Sequence, residues 1–168
     1  MNKKILMLIS LLSLLVILAG CAPTLGPEPE VLAEDFTLAE SSTGFMPEGQ
    51  VLGGSSPYYI EFNEADFNTA LATQELVILN FYANWCPSCK AEDKEIRDAF
   101  REGNLSDTVV VFRTSFRDSD TSEFEKSLAE EYQVITQGTK IIFVNGVQVE
   151  KTPQHFSKEQ YVELFSSY

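Results

Sequence analysis

From residue 57 onward, the pattern of hydrophobic and polar positions predicts a series of strands and helices. The segments "ELVILNFYA" and "TVVVFRTS" are nearly continuous apolar runs rich in β-branched and aromatic residues, which indicates strands buried on both faces. The shorter segment "YYIEF" is a further strand ahead of them. The segments "KIIFV" and "VQVEK" flank Asn145 and Gly146, a pair of turn residues typical of a β-hairpin.

Helices are predicted between and after these strands. Asn63 is placed to cap the first, and the second follows the central strand directly. Asp120 with Glu123, and Ser157 with Gln160, have the spacing of capping boxes for the last two. The element order is β-α-β-α-β-α-β-β-α, with parallel strands first and an antiparallel hairpin later. This order predicts an α/β fold with a mixed central sheet and helices on both faces.

Residues 1–20 follow a different pattern. Two lysines form a positively charged start, and residues 5–19 are almost wholly apolar, which is typical of a secretory signal peptide and too short for a comfortable membrane span. The segment "LAGC", residues 18–21, resembles a bacterial lipobox. In that family the leader is cut before the cysteine, whose thiol then carries diacylglycerol. The resemblance implies a signal peptide over residues 1–20 and lipidation of Cys21, the alternative being an uncleaved N-terminal anchor.

Either arrangement places the protein in the cell envelope, outside the cytoplasm and attached to a membrane. Residues 21–56 are rich in Pro, Gly, Ser, Thr and Glu, and we predict a flexible acidic spacer there, with the folded domain over residues 57–168. The formal net charge is −13, with no basic patch that could neutralise phosphates. This charge excludes nucleic acid as a partner, and we predict a monomer.

The number and spacing of the cysteines indicate a chemical function for the domain. With Cys21 lipidated, Cys86 and Cys89 remain in a compartment that tolerates disulfides. A disulfide across so short a loop stabilises a fold little, so a reactive role explains the pair better than a structural one. Cys86 opens the helix after the central strand, where free N–H groups and a partial positive charge lower a thiol pKa. Cys89 lies one turn on and is expected to be deeper, which suits a resolving cysteine.

Two neighbours of Cys86 support this arrangement. Pro87 falls in the first helical turn, where its missing N–H costs nothing, and Trp85 is placed to cover the site. The motif "FYANWCPSCK", with this element order, resembles the thioredoxin-fold superfamily over about residues 58–168. The lipid anchor and Glu92, three residues after Cys89, make the chain similar to the extracytoplasmic TlpA-type thiol–disulfide oxidoreductases. Several of those are membrane-tethered and carry a glutamate at that position.

The resemblance implies a mechanism and partners. Cys86 attacks, Cys89 resolves the mixed disulfide, and Pro87 and Ser88 between them influence the reduction potential. The redox-active disulfide of Cys86 and Cys89 needs no further cofactor. Protein thiols or disulfides are the expected substrates, and a membrane redox partner is expected to recycle the protein.

The chain departs from the family in ways that carry predictions. Asn80 stands where thioredoxins have a buried aspartate, so Glu92 is our candidate for proton transfer with Cys89; the alternative is a solvated helix carboxylate. Gly138 stands where the family has a cis-proline, and we predict a trans peptide bond before it. The loop at Gly138 and Thr139 is expected to present backbone groups to a substrate.

Two other functions stay open on the sequence. The first is metal handling, for example copper binding or delivery by the same cysteines, which needs ligands beyond two thiolates. The lone histidine, His155, is the nearest candidate for one. The second is a binding module without catalysis, which the replacements at Asn80 and Gly138 keep open.

Overall fold

A computed structural model describes residues 44–102 and 105–168. The predicted signal peptide, Cys21 and the first part of the predicted spacer lie outside these residues. No helix in the described part of the chain is long and apolar enough to cross a membrane. The strands are β1 (Val51–Gly54), β2 (Tyr58–Glu61), β3 (Leu76–Tyr82), β4 (Val109–Ser115), β5 (Lys140–Val144) and β6 (Val147–Thr152). The helices are α1 (Glu64–Thr73), α2 (Pro87–Ala99), α3 (Glu123–Glu131) and α4 (Lys158–Ser166).

The sheet is mixed and has the strand order β1-β2-β4-β3-β5-β6. Strands β2, β4 and β3 are parallel, and the other pairings are antiparallel. Apolar residues of α1 and α3 pack on one face, and those of α2 and α4 pack on the other. The predicted mixed sheet with helices on both faces is therefore confirmed. Strand β3 lies in the interior of the sheet, as its continuous apolar run requires, and leads directly into the cysteine motif.

The sheet begins earlier than the sequence suggested, within the predicted spacer. Strand β1 pairs antiparallel with β2. Just before it, the backbone N–H groups of Glu48 and Gly49 donate to the buried Asp66 carboxylate, at 2.9 Å and 2.7 Å. The segment "VLGG" has little strand propensity of its own, so pairing and this long-range clamp determine its conformation. The ordered chain thus starts upstream of residue 57.

Most of the predicted turns and caps are confirmed. Asn63 caps α1, and Ser157 and Gln160 form a capping box at the start of α4. Asn145 and Gly146 join β5 and β6 with positive φ angles of 50° and 75°, as a tight two-residue hairpin requires. These features were predictable because each depends on residues close together in the sequence.

The cap of α3 differs from the prediction. Ser122 and Glu125 form the capping box, two residues beyond the predicted Asp120 and Glu123. The Glu125 carboxylate also accepts a hydrogen bond from the Ser115 backbone N–H at 2.6 Å. This contact fixes the start of α3 relative to the end of β4. The capping prediction was wrong because the contact with Ser115 makes Glu125, and not Glu123, the glutamate of the capping box.

Candidate active site

The two cysteines meet at the junction between β3 and α2. Cys86 is the N-cap residue of α2, and its sulfur accepts a hydrogen bond from the Cys89 backbone N–H at 3.3 Å. The Cys89 thiol also donates to Cys86 Sγ, with 2.7 Å between the sulfur atoms. Both side chains are almost fully shielded from solvent, each 3% exposed, and burial acts most strongly on Cys89, the cysteine predicted to lie deeper. The sulfur atoms are close enough for a disulfide bond to form between them.

The two thiols differ in proton affinity. Burial opposes ionisation of Cys86, but hydrogen bonds from the Cys89 thiol, the Ser88 hydroxyl and backbone N–H groups outweigh it and lower its pKa. The Ser88 hydroxyl lies 3.1 Å from Cys86 Sγ. Burial, the bond to Cys86 and the Glu92 charge raise the pKa of Cys89 to about 12. Cys86 is therefore the more acidic thiol and Cys89 its protonated partner, in the direction that the helix position predicted.

Trp85, which precedes Cys86, and Ile135 form an exposed apolar rim around Arg117. Trp85 is 56% exposed, and its indole Nε1 donates to the Arg117 carbonyl at 3.2 Å. Ile135 is 78% exposed, and its carbonyl accepts from Arg117 Nη1 at 3.3 Å. Arg117 thus connects the Trp85 indole to the backbone of Ile135. A cavity of about 310 Å³ opens beside Arg117 and Ile135, between α3 and the loop after β4.

The loop before β5 is tied to β3. The peptide bond before Gly138 is trans, which confirms that prediction. Gly138 N–H donates to the Phe81 carbonyl at 2.6 Å, and Phe81 N–H donates to the Thr139 carbonyl at 2.9 Å. The Gly138 carbonyl accepts from Lys140 Nζ at 3.0 Å. These backbone groups of Gly138 and Thr139, which we expected to face a substrate, are already bonded within the protein.

Glu92 is a buried residue. It is 2% exposed and forms an ion pair with Lys140 Nζ at 2.6 Å. The Tyr161 hydroxyl and the Phe156 backbone N–H also donate to it, at 3.0 Å and 2.9 Å. The alternative of a solvated helix carboxylate is wrong. Glu92 lies one turn after Cys89 on the same helix, and its charge acts on that thiol.

Sequence comparison identifies the family. The model of the family described as Thioredoxin matches residues 58–166. The chain belongs to the thioredoxin family. The solved structure of Trxlp from Edwardsiella tarda is 25% identical, with a TM-score of 0.52, and the match covers 63% of this chain and 97% of that one.

Two curated relatives resemble part of this thioredoxin-family chain. It is 28% identical over 96 residues to thiol:disulfide interchange protein DsbE of Haemophilus influenzae, covering 56% of this chain and 50% of that protein. It is 29% identical over 94 residues to protein disulfide isomerase-like 5-2 of Oryza sativa, covering 55% of this chain and 21% of that protein. The chain thus spans half or less of the length of these two relatives.

A polar row crosses the sheet of this thioredoxin-family domain beneath α2. Its members lie opposite one another on successive strands, in the order Glu61, Arg113, Asn80, Lys140 and Thr152. Asn80 is buried, and its Oδ1 has no hydrogen-bond partner among the described residues. The charges of Arg113 and Lys140 therefore lie on either side of a neutral amide.

The Arg113 half of the row is balanced by carboxylates. Glu61 accepts from Arg113 Nε at 3.0 Å, and Asp93 of α2 lies 3.3 Å from Arg113 Nη1. The Tyr59 hydroxyl and Arg97 Nε also donate to Asp93, each at 2.7 Å. Burial opposes ionisation of Asp93, but the hydrogen bonds from Arg97 and Tyr59 outweigh it and lower its pKa.

Lys140 is the functional candidate that the sequence analysis missed. It begins the apolar segment "KIIFV" and looked like a solvated flank, yet it is 0% exposed. Strand alternation contained the clue, because Lys140 lies on the same face of β5 as the buried Ile142. Pairing with Asn80 across the strands identifies that face as the polar row.

The described residues provide no ligand set for the metal-handling hypothesis. Nδ1 of the exposed His155 lies 3.9 Å from Glu92 Oε2. Across residues 44–102 and 105–168, no group of three or more His, Cys, Asp or Glu side chains is arranged to hold a metal ion. Cys86 and Cys89 thus form a dithiol without further ligands in this part of the chain.

Proposed function

We propose that the chain is a thiol–disulfide oxidoreductase that exchanges disulfides with protein substrates. The contrast between the two thiols carries this proposal: Cys86 has a lowered pKa, and Cys89, whose pKa is about 12, stays protonated 2.7 Å away. A low-pKa thiol beside a protonated partner is the arrangement that two-step exchange needs. The similarity to a protein named for thiol:disulfide interchange supports the same chemistry.

The reaction balances with these two residues alone. The Cys86 thiolate attacks one sulfur of a substrate disulfide, a mixed disulfide forms, and the other substrate sulfur leaves as a thiolate. Cys89 then loses its proton and attacks Cys86 Sγ, which releases the second substrate thiolate. The substrate gains two electrons, and Cys86 and Cys89 become a disulfide. The reverse sequence oxidises a substrate dithiol.

The rim supplies the substrate contacts in this proposal. Trp85 and Ile135 are exposed apolar residues linked through Arg117, and Trp85, directly before Cys86 in the chain, offers an apolar surface next to it. A substrate chain lying across them brings its sulfur to Cys86. Since the predicted backbone groups of Gly138 are bonded to the protein itself, side-chain contacts carry more of the recognition than the sequence suggested.

The second part of the proposal concerns location. A TlpA-like, lipid-anchored protein outside the cytoplasm explains the signal-peptide pattern, the cysteine at residue 21 and the glutamate at residue 92. A membrane redox partner would then recycle the Cys86–Cys89 pair. In a bacterial host, Cys21→Ser should abolish incorporation of a labelled fatty acid into the chain, whereas Cys89→Ser should leave it unchanged. Equal labelling of the Cys21→Ser variant would contradict lipidation there.

The activity is tested with an oxidised protein substrate such as insulin. Purified full chain should accelerate reduction of insulin by dithiothreitol, and Cys86→Ser should abolish the acceleration. Cys89→Ser should trap a mixed disulfide that a reductant releases, because nothing remains to resolve it. If both variants retained full turnover, the proposed mechanism would be wrong. A wild-type chain without any exchange would favour the binding module instead.

A further inference from the structure

Residues 116–118 run alongside residues 82–85, the segment that leads to Cys86. Hydrogen bonds join the two segments: the Phe116 N–H donates to the Tyr82 carbonyl at 2.7 Å, the Asn84 N–H to the Asp118 carboxylate at 2.8 Å and the Trp85 indole to the Arg117 carbonyl at 3.2 Å. These contacts fix Arg117 beside the residue that precedes Cys86. A substrate chain bonded to Cys86 needs only a few residues to reach Arg117, since an extended chain spans about 3.3 Å per residue.

Arg117 has a backbone conformation that favours glycine. Its φ is +51°, in the left-handed region, where a side chain carries a steric cost. Two contacts accompany this conformation: the carbonyl accepts the Trp85 indole, and Nη1 donates to the Ile135 carbonyl at 3.3 Å. The first contact uses only the backbone, which any residue at this position supplies. An arginine here therefore suggests a use for the side chain.

The Arg117 guanidinium has free hydrogen-bond donors. It lies 4.9 Å from the centre of the buried Phe116 ring, and among the described residues it donates to the Ile135 carbonyl alone, although an arginine carries several N–H groups. None of the ion pairs in the described residues includes Arg117. The side chain is exposed and borders the cavity of about 310 Å³ between α3 and the loop after β4. Arg117 is thus an accessible cation without a carboxylate partner in this part of the chain.

Three further charged residues line that cavity. Asp118 accepts the Asn84 N–H, and Lys126 forms an exposed ion pair with Glu123 at 2.5 Å. Glu130 is exposed, and the ion pairs of the described residues do not include it. Glu130 therefore supplies the negative charge that opposes an acidic ligand at this cavity.

The charge of the whole chain makes a lone cation informative. With a formal net charge of −13, the protein repels acidic partners at long range. A guanidinium presents paired N–H donors that match the two oxygens of a carboxylate. An accessible arginine beside the cysteine motif is therefore suited to select among substrates through a short-range contact.

We infer that Arg117 is a specificity-determining residue, which binds a carboxylate of the substrate close to the cysteine that reacts with Cys86. The inference rests on the proposed exchange reaction and leaves the bonds and electrons of that reaction unchanged. The favoured substrates are protein segments in which an aspartate or glutamate lies within a few residues of a disulfide-bonded cysteine. The arginine contacts the bound segment and takes no part in proton transfer.

Chromogenic peptides measure this preference on the purified, reduced full chain. Each peptide carries one cysteine as a 2-pyridyl disulfide, and the peptides differ only in the next residue, which is Asp, Asn or Lys. Attack by Cys86 on the peptide sulfur forms the mixed disulfide and releases pyridine-2-thione, which is neutral and absorbs light. Each rate is divided by the rate of the same peptide with 2-mercaptoethanol, which corrects for the intrinsic reactivity of the peptide.

The expected result is a preference for the acidic peptide. In about 0.1 M salt, charges more than about 10 Å apart are largely screened, so the contact with Arg117 dominates over the net charge of the chain. Under these conditions the wild type should react about three- to tenfold faster with the Asp peptide than with the Asn peptide. The Lys peptide should be the slowest of the three.

Variants of the chain assign the preference to Arg117. Arg117→Gln should lower the Asp-to-Asn ratio to about one, and Arg117→Lys should retain part of it, because lysine keeps the charge without the paired donors. Glu130→Gln should raise the ratio, and it leaves Arg117 in place if Arg117→Gln folds poorly. The matched control is Arg101→Gln, which removes an exposed arginine beyond the far end of α2 and should leave the ratio unchanged.

Three results would overturn the inference. The first is a wild-type chain that reacts equally with the three peptides after the correction. The second is an Arg117→Gln variant that keeps the wild-type preference. The third is an equal loss of preference in Arg101→Gln, which would indicate an effect of net charge alone. Failure of the proposed function looks different, because the wild type would then release pyridine-2-thione no faster than Cys86→Ser.

Discussion

Asn80 and Lys140 lie directly opposite each other on neighbouring antiparallel strands, beneath the helix that begins at the two cysteines. The lysine directs its ammonium to Glu92 and the Gly138 carbonyl, and the asparagine Oδ1 has no partner among the described residues. The position that holds a buried acid in thioredoxins is thus a neutral amide, and the buried acid comes from α2 instead. This exchange of positions brings a lysine of β5 into direct contact with the buried acid.

Ser88 should set the acidity of Cys86. Its hydroxyl lies 3.1 Å from Cys86 Sγ and contributes to the lowered pKa. We expect Ser88→Ala to raise the Cys86 pKa and to slow alkylation at neutral pH by up to about tenfold, because less thiolate is present. The measurement is the pH dependence of alkylation, followed by mass spectrometry on the peptide that contains Cys86. Ser88→Thr keeps a hydroxyl and is the control. An unchanged pH profile in Ser88→Ala would contradict a contribution of the Ser88 hydroxyl to the Cys86 pKa.

Asp93 should make stability depend on pH in the acidic range. Its pKa is lower in the folded chain, so its stabilising contribution is present above the unfolded-state value of 3.8 and is lost as pH falls through the folded-state value. We expect Asp93→Asn to lower the free energy of unfolding by about 1–3 kcal/mol at neutral pH. The difference from the wild type should shrink below about pH 4.

Urea unfolding at a series of pH values measures this difference. Asp98→Asn is the matched control, because Asp98 forms ion pairs with Lys94 and Arg101 on the exposed side of the same helix. Exposed pairs contribute little, so this control should change the midpoint only slightly. A difference for Asp93→Asn that stayed constant down to strongly acidic pH would contradict the assignment.

Asp66 should hold the first strand of the sheet in place. Its carboxylate accepts the backbone N–H groups of Glu48 and Gly49. We expect Asp66→Ala to cost about 1–3 kcal/mol of stability and to accelerate amide hydrogen exchange over residues 48–54, since the Glu48 and Gly49 N–H groups lose their acceptor. Glu64→Ala, at an exposed position in the same helical turn, is the control. Slow exchange at residues 48–54 in Asp66→Ala would show that strand pairing alone suffices.

We expect glycine to be required at position 138 because of the backbone conformation there, and not because a side chain would clash with neighbouring atoms. Its φ is +79°, yet an added Cβ would meet no atom within 4 Å. We expect Gly138→Ala to lower stability by about 1–2 kcal/mol, the cost of a left-handed conformation for a residue with a side chain. Gly44→Ala, where a Cβ also meets nothing and φ is ordinary, should be close to neutral. Thermal unfolding of the two variants makes the comparison, and equal midpoints would count against backbone strain at Gly138.

The features that the sequence predicted correctly are those encoded by neighbouring residues. The strand before Cys86, the Asn145–Gly146 turn and the cap at Ser157 each depend on a few consecutive positions. The cysteine motif belongs to the same class, because Cys86 caps the helix that contains Cys89.

The features that were missed depend on contacts between distant segments. The segment before β1 is bonded to the Asp66 carboxylate, and the glutamate of the α3 cap is bonded to the backbone of Ser115. Burial of Lys140 follows from the face of β5 that it shares with Ile142 and from the pairing of β5 with β3, and the sequence does not specify that pairing locally. Glu92 was a candidate from the sequence, with a solvated carboxylate as the alternative, and its partners Lys140, Tyr161 and Phe156 come from distant segments.

The N-cap of α2 has one more consequence. The sulfur of Cys86, which attacks the substrate in the proposed reaction, is also the acceptor that holds the first turn of the helix, through the Cys89 N–H. A thiolate is a stronger acceptor than a disulfide sulfur, so this turn is held most tightly in the reduced protein and less tightly once Cys86 is bonded to a substrate. The strength of the Cys89 N–H hydrogen bond thereby changes with the bonding state of Cys86. The hydrogen-exchange rate of the Cys89 amide should therefore differ between the reduced protein and the mixed disulfide, and it can be measured without labelling the cysteines.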